Sequence, residues 1–127
     1  IRMLPRGSGI IFRHYSLPTN RRRELLQKVA ALACRRRHVL LIGGQDHGRF
    51  RGAVTASVHN IRERIAAERA GARLLFVSPV FATLSHPGQR PLGRVRFGMM
   101  IRTARVPIVA LGGMDKRRAR SLRAFGI

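Results

Sequence analysis

Short apolar runs alternate along this chain with stretches whose apolar residues recur at helical spacing. Ile10–His14, entered through Gly7-Ser8-Gly9, predicts a first strand. A helix follows from about Asn20 to Cys34, with Leu25, Leu26, Val29 and Leu32 on one face. His38–Ile42 is apolar and stops at Gly43-Gly44, and Ala53–Ser57 is the next strand. Asn60 then offers an N-cap with Glu63 at the capping-box position, Ile61 and Ile65 mark the helix, and Gly71 closes it in a left-handed conformation. Leu74–Val77 and Pro107–Leu111 are the last two strands. The helix between them turns Phe97, Met100 and Ile101 inward, and Met99 reads as core beside Met100. Asp115 caps a final helix that ends near Phe125-Gly126.

Five strands alternating with four helices predict an α/β fold of parallel β/α units with right-handed crossovers. Both an open sheet and a closed barrel satisfy this rhythm. One connection breaks it: the ten residues Gly43 to Gly52 are fewer than the dozen or so that a crossover takes. The pattern therefore predicts that residues of a longer protein are absent near 43–52.

The chain's 127 residues, 45% of them hydrophobic, suffice for one domain with one core. Twenty-six Lys and Arg against five Asp and Glu give a net charge of +21. That excess favours phosphorylated or polyanionic partners by raising the local anion concentration. It also fits solvated arginine-rich helix faces, such as Arg21-Arg22-Arg23 and Arg117-Arg118. Against a nucleic-acid-binding role stand 6% aromatic residues, no Trp, and no basic run interleaved with stacking side chains. Cys34 is alone, reads as a small, partly buried residue, and points to a reducing compartment. No apolar run approaches the ~20 residues that span a membrane, and the first residues lack a secretory h-region, so a cytoplasmic location is expected.

Ligands of parallel β/α units gather at the carboxyl ends of the strands. Those ends carry Thr83, Ser85 and His86 after one strand, Gly112-Gly113 after another and His59 after a third. A phosphate needs several fixed donors and close backbone approach, which glycine permits. Histidine is the side chain suited to proton transfer near neutral pH. His14 and His38 read as surface or sheet-end residues.

Three blocks, VTASVH (Val54 to His59), AGARLLFVSPVFATLSHPG (Ala70 to Gly88) and PIVALGGMD (Pro107 to Asp115), resemble the thiamine phosphate synthase/TenI family in order and spacing. IIFRHYSLP, Ile10 to Pro18, is similar to the family's strand with a QLRxK signature, with Arg13 on its arginine. The resemblance implies a TIM (β/α) barrel, here a single domain over 1–127 with residues missing near 43–52 and after 127. It implies a transferase that joins a pyrimidine diphosphate to a thiazole phosphate and releases pyrophosphate with Mg²⁺. On it, Arg13 contacts the diphosphate and Ser57 sits beside the departing pyrophosphate. Thr83 and Ser85, with His86 beside them, bind phosphate, and Gly112 and Gly113 offer backbone N–H groups. His59 lies in a block given an acid/base role in the TenI branch. No residue is assigned as a metal ligand. The implied partners are phosphorylated small molecules, with a homo-oligomer left open.

The sequence departs from the family pattern at several of these positions. Tyr15 stands where a lysine is expected, Gly43-Gly44 where the family has Asn-Asp, and His86 where it has lysine. Those departures keep open a TenI-like thiazole tautomerase or a catalytically decayed relative.

Overall fold

A computed structural model describes residues 1–84 and 88–126. Its elements run β1 (Gly9–Phe12), α1 (Thr19–Arg35), β2 (Val39–Ile42), β3 (Thr55–Val58), α2 (Ile61–Arg69), β4 (Leu74–Val77), α3 (Gly93–Arg102), β5 (Ile108–Ala110) and α4 (Lys116–Leu122). The chain divides into two compact units, Ile1–His47 and Gly48–Ile127.

In the first unit β1 and β2 pair in parallel, Gly9 opposite Val39 and Phe12 opposite Ile42. β1 ends at Phe12, earlier than the apolar run predicts, and His14 stacks its ring on Phe12 at 4.8 Å. α1 buries Val29 and Ala33 on the predicted face, whereas Cys34 is exposed. His38, expected at the surface or a sheet end, stands immediately before β2 and is buried, with neither ring nitrogen hydrogen-bonded among the described residues.

In the second unit β3, β4 and β5 form a parallel sheet in that order. β3 starts at Thr55 rather than Ala53, because the Ala53 N–H closes a turn onto the Phe50 carbonyl at 3.2 Å. Ala56, Leu75 and Ile108 share one row, and Val58, Val77 and Ala110 another. Both rows lie in the core with Ala67, Phe97, Met100 and Leu122 of the helices. The ten-residue link does not join paired neighbours: among the described residues β2 pairs with β1, and β3 with β4.

The helix ends follow their capping residues. Asn60 Oδ1 accepts from the Glu63 N–H at 2.9 Å, and Glu63 returns a bond to the His59 N–H at 2.9 Å. This reciprocal pair satisfies two otherwise orphaned donors. Gly71 has φ +97°. The last helix stops at Leu122, and a single 3-10 turn, Arg123–Phe125, carries the chain to Gly126. Gly98 makes room for that turn, since a Cβ there would overlap the Phe125 ring.

α2 presents its buried face differently from the pattern. Arg64 is 3% exposed and Ala67 buried, while Ile61 is 47% exposed. The Arg64 guanidinium reaches both Glu68 carboxylate oxygens at 2.8 and 2.9 Å, and Nη1 and Nη2 donate to the Thr103 carbonyl and hydroxyl, each at 3.0 Å. Glu68 also accepts from the Arg105 N–H at 3.0 Å. The network ties α2 to the turn that leads into β5. Met99 likewise departs from expectation at 68% exposure, with Met100 at 3%.

Candidate functional site

The strand ends of the second unit bring their polar residues to one edge. Alternation sets Ala56 and Val58 in the helix-covered core and turns Ser57 to the opposite face, in register with Phe76 and Val109. Ser57 is half-buried there. His59 follows the end of β3, and its Nδ1 lies 2.5 Å from the Ser78 carbonyl oxygen. A carbonyl only accepts, so Nδ1 carries the proton, and in the neutral ring Nε2 is the acceptor.

The loop after β4 is fastened to the end of β5. Val80 N–H donates to the Leu111 carbonyl at 2.8 Å and Phe81 N–H to the Gly112 carbonyl at 3.1 Å. Each of those carbonyls shares a planar trans peptide with the next amide, so the Gly112 and Gly113 N–H groups point away from the loop. Gly112 and Gly113 have φ of +88° and +60°. A Cβ on Gly112 would stand 2.7 Å from the Pro79 Cα, and one on Gly113 would overlap the Ala82 carbonyl oxygen. Only glycine fits this approach without backbone movement. Thr83 follows Ala82 and is half-buried beside the same turn.

Arg118 belongs to this edge rather than to a solvated helix face. Its Nη1 donates to the Gly113 carbonyl at 2.5 Å, and its guanidinium lies 5.2 Å from the Phe81 ring centroid. The signal for it was Asp115, whose carboxylate caps α4 by accepting the Arg118 N–H at 2.8 Å. That cap places residue 118 in the first turn, next to the glycines.

Thus Ser57, His59, Thr83, Gly112 and Gly113 share one strand-end edge, and Ser85 and His86 lie outside the described residues. Arg13 is in the first unit, the first residue after β1, exposed, with its guanidinium 5.8 Å from the Tyr15 ring. His47, in the same unit, has a pKa pushed below the ordinary histidine value, first by burial and then by the Arg13 charge. The Tyr15 hydroxyl fills the space over Gly43.

All five carboxylates serve local structure. Asp46 accepts from the Ile42 N–H at 2.9 Å and Glu24 pairs with Arg21 at 3.4 Å. Glu63 and Asp115 cap helices, Glu63 also meets Arg49 at 3.1 Å, and Glu68 holds Arg64. Among the described residues no three His, Cys, Asp or Glu side chains gather as a metal site. No helix there is long and apolar enough to cross a membrane.

A family model described as thiamine monophosphate synthase matches residues 48–127. The thiamine-phosphate synthase of Pyrococcus furiosus is 31% identical over 74 residues, 58% of this chain and 36% of that protein. That of Chloroflexus aurantiacus is 35% identical over 71 residues, 55% of this chain and 33% of its own. The Synechococcus sp. protein of the same description is 39% identical over 70 residues, 55% of this chain and 20% of its own. The chain thus spans about a third or less of these relatives' length. Among solved structures, thiamine phosphate pyrophosphorylase from Pyrococcus furiosus is similar in fold, with a TM-score of 0.75 at 21% identity over 94% of this chain and 69% of that one.

Proposed function

The chain belongs to the thiamine monophosphate synthase family, and from that premise we propose that its strand ends bind the phosphates of a transferase joining a pyrimidine diphosphate to a thiazole phosphate with release of pyrophosphate. The observation that carries this reading is the fastening of the β4 loop to the glycine turn after β5. It holds two backbone N–H groups in fixed directions before any ligand arrives. Donors set in advance stabilise charge that develops on a departing diphosphate without reorganising during the reaction.

In this reading Gly112 and Gly113 donate to phosphate through their amides, and Thr83 and Ser57 through their hydroxyls. Arg13, in the first unit, keeps the diphosphate contact that the family resemblance implies, and Ser85 and His86, outside the described residues, keep their phosphate contacts. Arg118 holds the glycine turn by its Gly113 carbonyl. The finer fold class we assign is a TIM (β/α) barrel, incomplete in these residues, a reading supported by the parallel β/α units and the family resemblance. Mg²⁺, which the family resemblance implies, prefers carboxylate and phosphate oxygens. The five carboxylates are taken up by caps, turns and arginine pairs, so the described residues do not fit it.

Incubation of the protein with both phosphorylated precursors and Mg²⁺ is expected to yield thiamine phosphate. Absence of product over a broad set of pyrimidine diphosphates and thiazole phosphates would refute the transferase. One observation favours a second reading, a thiazole tautomerase: the Ser78 carbonyl fixes the His59 tautomer and leaves Nε2 for proton transfer. There the thiazole alone would be converted, and His59→Asn would abolish the conversion.

A further inference from the structure

Beside the strand-end edge of the second unit lies a cavity of about 400 Å³ whose lining includes His59 but none of the residues given a phosphate-binding role above. Ile61 of α2, Leu92, and Met99 and Met100 of α3 give it apolar walls, and Arg90 and Arg96 line it as cations. His59 and Asn60 close it on the side of the strand ends. One wall is fixed by the backbone: Leu92 N–H donates to the Pro79 carbonyl at 3.0 Å and Gly93 N–H to that of Val80 at 2.9 Å. The Asn60 cap fixes the start of α2.

Two features distinguish this cavity from an ordinary gap between helices. Ile61 and Met99 belong to the apolar pattern of the chain yet are left facing solvent around it. No carboxylate lines it, and among the described residues neither Arg90 nor Arg96 forms an ion pair. Apolar walls with a few charged groups are the composition of small-molecule sites, and the volume falls near the lower end of their usual range of about 300–1,000 Å³. Methionine thioethers adapt to flat or branched shapes, and guanidinium groups bind carboxylate or phosphate oxygens.

We propose that this cavity binds a small apolar molecule carrying one anionic group, its body against Met99 and Met100 and its anion on Arg90 and Arg96. The site is independent of the transferase chemistry, so its test needs no turnover.

Methyl-labelled methionine gives four reporters, of which Met3 and Met114 are exposed and lie outside the cavity lining. Titration with 2-naphthoate is expected to shift the Met99 and Met100 methyl resonances saturably and leave the other two in place. The neutral 2-naphthol should bind at least about fivefold more weakly. Arg90→Ala and Arg96→Ala should each weaken naphthoate by up to about fivefold, the scale of an exposed ion pair, while leaving naphthol unchanged. Shifts common to all four methyls, a titration without saturation, or naphthol binding as tightly as naphthoate would overturn the proposal.

Discussion

Replacing Arg64 by methionine probes the network that joins α2 to the turn before β5. Arg64 is 3% exposed, and the Glu68 side chain 11%, so removing the guanidinium leaves a carboxylate with little water and one remaining bond, to the Arg105 N–H. Breaking a buried pair from one side costs about 3–5 kcal/mol, chiefly the uncompensated charge. A small domain is stable by only about 5–15 kcal/mol, so the variant gives up a large share. With a urea m-value of about 1–3 kcal/mol/M, the midpoint should fall by roughly 1 M or more. Glu68→Leu should cost a similar amount by stranding the arginine. The double variant should cost less than either single one, about 1–2 kcal/mol, because no charge is stranded and only the hydrogen bonds to Thr103 and from the Arg105 N–H are lost. Urea unfolding followed by far-ultraviolet circular dichroism measures all three. A double variant that costs the sum of the singles, or an Arg64→Met cost below about 1 kcal/mol, would refute the reasoning.

Other outcomes follow from single contacts. His47 has a folded pKa below its unfolded value of about 6.5, so the unfolded chain binds more protons between the two; stability should be complete above about pH 6.5 and lost as the pH falls, and His47→Gln should flatten that part of a midpoint-versus-pH series. Gly113→Ala and Gly71→Ala both place a side chain at positive φ, but only the first meets backbone, at the Ala82 carbonyl; its melting temperature should fall further than that of Gly71→Ala. Asn60→Ala removes the cap bond to the Glu63 N–H and should cost about 1 kcal/mol in the same unfolding assay.

The order of strands and helices is legible because apolar runs end at Gly43, Ser78 and Gly112, and the caps at Asn60 and Asp115 are legible because their partners sit three residues away. Residues whose partners are distant in sequence are not. Ile61 and Ile65 mark α2 in the sequence, but the structure buries Arg64, because Thr103, 39 residues on, completes its hydrogen bonds. Met99 and Met100 look alike in sequence, yet the core takes only Met100, since consecutive residues of a helix with about 3.6 residues per turn point in directions roughly 100° apart. Arg118 sits in an arginine-rich run where Asp115 alone marks its place in sequence, and the Phe81 ring and the Gly113 carbonyl single it out in the structure. At the candidate edge, residue types announced donors, but the direction of the glycine amides came from carbonyl partners in another loop.

The most direct measurement of the central claim is an amide chemical-shift titration of the labelled protein with inorganic pyrophosphate. The expected result is saturable movement of the Gly112 and Gly113 N–H resonances together with that of Thr83. Movement spread over Arg21–Arg23 and the other exposed arginines, with the glycine amides unchanged, would contradict it.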